Sequence, residues 1–183
     1  MGRVIGGAVL CGGRSERFGR DKALIDFHGR PLCEHVGTVL AGAGCEPVVF
    51  VGGDGDRLTA VTDRPFVPDT WPGEGPLGGV IDALRWFRGR EAAGVVIAAC
   101  DLPNLTVATV RAVAGAGSAA VAVAERLHPA LAYWPIADAD RLELLFNAGT
   151  RSLHQALDAL DATRVVVEAV DMHNVNRPGD LGH

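Results

Sequence analysis

The stretch "LCGGRSERFGRDKAL", residues 10–24, gathers Arg14, Arg17, Arg20 and Lys22 beside Gly12, Gly13 and Gly19. Against Glu16 and Asp21 it nets 4 − 2 = +2, although the whole chain carries a formal charge of -5. Of 17 basic residues, 17 − 1 = 16 are arginines, and Lys22 is the lysine that remains. A chain that otherwise meets every need for positive charge with arginine places its sole lysine in a glycine loop. A compact ammonium suits a phosphate oxygen where a planar guanidinium would be too wide. Glycines let backbone N–H groups come close to such oxygens. The loop is not a dinucleotide fingerprint, since GxGxxG is absent. It is not a Walker loop either, because Asp21 precedes Lys22 and Ala23 follows it. Two readings remain: a solvated turn with scattered arginines, and a long loop that wraps a triphosphate. The isolated lysine favours the second.

A second group able to do chemistry is Asp101, which closes the apolar run "GVVIAACD". A run that is apolar at every position fits a strand buried on both faces of a parallel sheet. The elements around these residues must bring Lys22 and Asp101 together. "AVLCG" reads as a strand feeding the glycine loop, "LCEHVGTVLAGAG" (32–44) as a helix, and "PVVFVGG" (47–53) as a strand. "PFVPD" (65–69) is extended, and "PLGGVIDALRWF" (76–87) is a helix with proline in its first turn. Helix, strand and strand follow in "TVATVRAVAG", "AAVAVA" and "ALAYWP", the last reading as a strand of reversed direction. Two helices, "DADRLELLFNAG" and "SLHQALDAL", precede a final strand in "TRVVVEAV". The alternation predicts a three-layer α/β/α sandwich over residues 1–183, as one domain, with a mostly parallel Rossmann-like sheet and one antiparallel strand. Ligands bind such sheets beyond the carboxyl ends of the strands. The glycine loop and Asp101 then share a rim.

Composition narrows the partners. Hydrophobic residues make up 48% and charged residues 21% of 183, a globular balance. The mild acidity argues against a nucleic-acid surface. No run approaches the ~20 apolar residues of a membrane span. Cys11, Cys33, Cys45 and Cys100 form no CxxC pair and no zinc-like cluster with histidine. Free, buried thiols in a cytoplasmic protein are the expectation.

"VLCGGRSERFGRDKALI" resembles the signature loop of nucleotidyltransferases, most closely that of the molybdenum cofactor guanylyltransferases, with Cys11 for the usual alanine and Phe18 for the usual methionine. Further blocks resemble that family in its own order: "HGRPLCEHV", "VPDTWPGEGPLGGVIDAL", "ACDLPNL", "HPALAYW" and "NVNRPGDL". The likeness spans nearly the whole chain. It implies transfer of GMP from GTP to the phosphate of molybdopterin, with Mg²⁺ as cofactor and a molybdoenzyme or chaperone as receiver of the product.

Carried onto this sequence, the resemblance assigns Leu10, Cys11, Gly12, Gly13, Arg14, Lys22, Asp69 and Asp101 to the nucleotide. Arg17, Lys22 and Asp101 become catalytic, and Asp101 the ligand of the metal. His128, Asn174 and Asn176 fall on the acceptor side, and Asn176 has the metal as an alternative partner. Where the family often has a nucleotide-binding asparagine after the second strand, this chain has Val51 followed by Gly52 and Gly53. The base preference therefore stays open between GTP and CTP. A sugar-phosphate acceptor is a further alternative. A nucleotide sensor or carrier without catalysis is the reading from another class, and the joint presence of Lys22 and Asp101 argues against it.

Overall fold

The computed structural model describes residues 4–12 and 22–175. Seven strands form one sheet in the order β5-β4-β1-β6-β8-β7-β9. They are β1 (Val4–Leu10), β4 (Val48–Val51), β5 (Phe66–Val67), β6 (Ala92–Ala99), β7 (Ala120–Val123), β8 (Leu127–Pro135) and β9 (Thr163–Val166). β1 runs parallel to β4 and β6, β4 to β5, and β7 to β9. Only β8 is reversed, pairing antiparallel with β6 and β7. The sequence expectation of a mostly parallel sheet with one reversed strand holds. The reversed strand begins earlier than "ALAYWP", because Ala122 and Val123 of β7 pair with His128 and Leu127.

Alternate residues of the central strands serve opposite faces of the sheet. Val9, Phe50, Val96, Ala98, Leu131 and Tyr133 point to a core shared with α1 (Leu32–Gly42) and α4 (Val107–Ala114). Ala8, Val49, Val95, Ile97, Ala132 and Trp134 point to a second core under α3 (Pro76–Phe87), α5 (Ala139–Asn147) and α6 (Leu153–Ala159). Each helix supplies one apolar stripe; in α3 it is Leu77, Val80, Ile81, Leu84 and Phe87, spaced at three and four residues. Full burial of side chains such as Phe87 or Leu84 contributes about 1.5–3 kcal/mol each. Two strand glycines make room for rings: a Cβ on Gly6 would lie 2.3 Å from Phe87, and one on Gly94 would lie 2.4 Å from Tyr133.

Two small elements escape a sequence reading. A two-residue hairpin pairs β2 (Asp26–Phe27) with β3 (Arg30–Pro31), and α2 (Gly55–Thr59) forms one turn capped by Asp54. Both are too short to show a hydrophobic period.

The register sets the functional rim. Leu10 lies opposite Val51 on one side and Ala99 on the other, and Val51 lies opposite Val67. These strands end level, so Cys11–Gly12, Gly52–Gly53, Asp69 and Cys100–Asp101 all emerge from the same edge.

Candidate active site

The first part of the site is a cleft of about 300 Å³ lined by Leu10, Gly12, Val51, Gly52, Asp69, Gly73, Gly75, Pro76 and Gly79. Its floor is backbone. Cys11 N donates to Val51 O at 2.9 Å, and Gly52 N donates to Val67 O at 2.9 Å. Gly53 has φ +83°, and a Cβ there would lie 3.0 Å from the Cys11 carbonyl oxygen. Glycine permits both the left-handed backbone and the close approach of two main chains. Gly75 precedes α3 with φ +99° and Pro76 opens the helix, so the helix N-terminus faces the cleft without a capping side chain. Free N–H groups at such an end attract acceptor atoms.

Asp69 is fixed by its own turn: Oδ1 accepts from Trp71 N at 2.9 Å. The turn is gripped by Asp82, a residue the sequence reading does not single out. Asp82 is 4% exposed. Its Oδ2 accepts from Thr70 N at 2.8 Å, and its Oδ1 accepts from Thr70 Oγ1 at 2.7 Å. The available signal is an acid set among the apolar residues of α3. On the outer side, Arg151 Nε donates to Glu74 at 2.8 Å, and its guanidinium lies 3.9 Å from the centre of the Phe146 ring. Trp71 packs on the same ring at 4.8 Å. The 71–75 loop is thus clamped from both ends.

The second part is a cavity of about 620 Å³ whose walls include Lys22, Asp101, Pro129, Arg151, Ser152 and His154. It shares Leu10, Gly12 and Pro76 with the first cleft, so the two form one trough along the rim. Lys22 and Asp101 therefore face one space. Lys22 Nζ lies 3.5 Å from Asp101 Oδ2 and donates to Val175 O at 3.1 Å. Val175 N donates to Asp101 O at 3.0 Å. The backbone of Val175 is a second feature missed from sequence, since a carbonyl contact between distant segments has no residue-type signature.

Asp101 Oδ1 is buried and has no hydrogen-bond partner among the described residues. A buried carboxylate oxygen left unpaired is costly, so such an atom calls for a ligand. Among the described residues no three His, Cys, Asp or Glu side chains gather to cage a metal. A single carboxylate is a donor set that suits a hard cation sharing its coordination with water and substrate oxygens.

The remaining sequence candidates fall as follows. His128 lies in β8; Ala98 pairs with Leu131, so His128 and Asp101 stand equally far along on the same rim. The cavity wall passes through Pro129 and Ala130 instead of His128. Burial, and secondarily the charge of Arg126, hold the His128 imidazole below its ordinary pKa. Asn174 is half-buried beside Val175, and its buried Oδ1 lacks a hydrogen-bond partner among the described residues. Gly13, Arg14, Arg17 and Asn176 lie outside the described residues. All four cysteines are buried. Cys11 Sγ donates to Val9 O at 3.5 Å, and burial pushes Cys45 up to about 11. A thiol nucleophile needs the opposite shift.

A mostly parallel sheet whose rim carries a glycine-walled cleft opening onto a lysine–aspartate pair places the molecule among the α/β proteins that bind ligands beyond the carboxyl ends of their strands. The sequence profile of the MobA-like NTP transferase domain matches residues 7–160. The molybdenum cofactor guanylyltransferase of Rhodobacter capsulatus is 33% identical over 180 residues, covering 97% of this chain and 93% of that protein. A probable molybdenum cofactor guanylyltransferase of Opitutus terrae is 35% identical over 188 residues, covering 97% and 93%. The crystal structure of molybdopterin-guanine dinucleotide biosynthesis protein A from Archaeoglobus fulgidus superposes with a TM-score of 0.73 at 27% identity, covering 96% of this chain and 94% of that one. The chain belongs to the MobA-like NTP transferase family, and it is a nucleotidyltransferase.

Proposed function

We propose that the protein transfers GMP from GTP to the phosphate of molybdopterin, releasing pyrophosphate and forming molybdopterin guanine dinucleotide. The observation that carries this reading is the Lys22–Asp101 pair, with an unpartnered Asp101 oxygen, in the wall of a cavity that joins the glycine-lined cleft at Leu10, Gly12 and Pro76. One cavity is walled by backbone and glycine, as a nucleotide needs. The other has room for a second substrate. The relatives named above are guanylyltransferases of the molybdenum cofactor, which supports the choice of donor and acceptor.

Joining two anions is opposed by their repulsion, so positioning and charge neutralisation are the catalytic terms. An oxygen of the acceptor phosphate forms a bond to the α-phosphorus of GTP. The bond from that phosphorus to the bridging oxygen breaks, and its electrons leave with pyrophosphate. Lys22 supplies a point charge to the triphosphate, and the Val175 carbonyl aims its ammonium. Arg17 and Arg14 add charge from the glycine loop, Arg17 toward the departing pyrophosphate. Asp69 holds the nucleoside end, near the ribose. Val51 contributes no polar side chain, so the base is met by the main chain around Gly52 and Gly53 and by the start of α3. Asn174, with Asn176 and His128, serves the pterin, whose ring edges need both donors and acceptors. Asp101 would hold Mg²⁺, which neutralises phosphate charge when bound. A molybdoenzyme or its chaperone then takes the product, in the cytoplasm. Among the described residues no helix is long and apolar enough to cross a membrane.

The test is pyrophosphate release from GTP and from CTP with molybdopterin as acceptor and Mg²⁺ present. Turnover with GTP at least about tenfold above CTP supports the reading, a ratio well within what hydrogen-bonded base recognition supplies. Use of CTP alone would reassign the base, and tight GTP binding with no pyrophosphate from any acceptor would leave a sensor.

A further inference from the structure

The chain after β9 crosses the functional rim as a strap. It makes a single 3-10 turn, Ala169–Met172, and continues through His173 and Asn174 to Val175. Met172 and Val175 are buried, at 3% and 0% exposure. Asp171 is buried too, at 7%, and its Oδ2 accepts from Thr106 Oγ1 at 2.7 Å and from Thr109 Oγ1. Thr106 caps the start of α4, its Oγ1 accepting from Thr109 N at 3.2 Å. Asn104 Nδ2 donates to Val170 O at 3.3 Å. At the far end Val175 N donates to Asp101 O and Val175 O accepts from Lys22 Nζ.

Two short segments, 101–106 and 171–175, are therefore cross-linked at both ends. One end is the reacting centre. The other is a buried carboxylate with two hydroxyl donors at the positive end of a helix. Charge-assisted hydrogen bonds to a buried carboxylate are strong and directional.

We propose that Asp171 is a positioning residue for the reacting centre. By docking the strap on Thr106 and Thr109, it fixes the Val175 carbonyl that aims Lys22 at Asp101. The proposal rests on the reading of Lys22 and Asp101 as the reacting pair, and its test separates the two.

Hydrogen exchange of the full chain reads the docking directly. In Asp171→Ala the peptide containing Val175 exchanges at least about tenfold faster, while β6 keeps its protection, as expected for a local opening. Asp171→Asn keeps an oxygen that both hydroxyls can reach and restores most of the protection. Should Asp171→Ala fail to fold, Thr109→Val removes one donor and shows the same local effect in smaller degree. Unchanged exchange at Val175 in these variants overturns the proposal.

Action through Lys22 is read by a double-mutant cycle. Asp171→Ala lowers kcat/KM about tenfold alone and adds little to Lys22→Ala, since coupled residues are not additive. Full additivity overturns the route through Lys22 and leaves Asp171 a structural residue. The same cycle, run on the affinity for inorganic tripolyphosphate by calorimetry, needs neither guanine nor acceptor. If guanylyl transfer fails while that cycle still shows coupling, the substrate assignment falls and the role of Asp171 stands.

Discussion

Lys22 Nζ and Asp101 Oδ2 stand 3.5 Å apart, joined from segments 79 residues distant in the chain, and the main chain of Val175 bonds to both residues. The ammonium answers Oδ2 while Oδ1 is left without a hydrogen-bond partner among the described residues. One carboxylate thus has one oxygen answered by the lysine and one that no described group answers.

Asp101→Asn and Lys22→Ala should each lower kcat by about 10²–10³, the usual cost of one transition-state contact. Lys22→Arg should not restore the rate, because a guanidinium cannot occupy the gap between Val175 O and Asp101 as a point charge. Steady-state assays of pyrophosphate release measure this. Wild-type turnover in either of the first two variants removes that residue from the mechanism.

The crossing of Gly12 and Gly53 at the cleft floor predicts a split between two glycine substitutions. Gly53→Ala places a Cβ 3.0 Å from the Cys11 carbonyl oxygen at φ +83°, whereas Gly29→Ala meets nothing within 4 Å at φ +81°. Both pay the left-handed strain of about 1–2 kcal/mol. Only Gly53→Ala also forces the two rim strands apart. Denaturant midpoints should fall for both, and KM for the nucleotide should rise severalfold for Gly53→Ala alone. A Gly29→Ala variant with the same KM defect would refute the floor assignment.

Asp82 holds Asp69 through Thr70. Asp82→Ala leaves Thr70 N and Oγ1 unpaired in a part-buried site, at a cost of about 1–3 kcal/mol, and frees the turn that carries Asp69. Nucleotide KM should rise more than kcat falls. Asp82→Asn can accept from Thr70 N and donate to Thr70 Oγ1, so it should retain most of the affinity. Equal losses in both variants would show that charge, and not the turn, is what Asp82 supplies.

Much of this site can be read in the sequence because its signals are local. Helix 76–87 is fixed by a proline at its first position and an apolar stripe, and its observed ends, Pro76–Phe87, coincide with the reading. The all-apolar run before Asp101 marks a central strand, so the aspartate at its end must lie on the rim. The reversal of β8 is also visible, as a strand that follows another without a crossover helix. What stays hidden is non-local or conformational. Asp171 looks like a surface acid of a tail until the fold buries it against threonines, and Asp82 shows only as an acid among apolar neighbours, with no sign of its partner Thr70. Val175 acts through its carbonyl, which every residue has.

Burial of the cysteines makes an alkaline prediction with a definite sign. Cys45 is 3% exposed, and desolvation raises its thiol from 9.0 to about 11 in the folded chain. The native state therefore keeps a proton that the unfolded chain gives up. The stability this confers is complete below pH 9.0 and is lost as pH rises through about 11. Melting temperatures should fall across that window, and Cys45→Ala should flatten the fall. At pH 8 the Cys45 thiolate fraction is about 10⁻³, and its three companions are buried too. A thiol reagent should leave the native protein unlabelled at that pH and label all four cysteines after denaturation. Rapid labelling of Cys11 or Cys100, both in the cavity wall, followed by loss of activity would assign thiol chemistry to that wall.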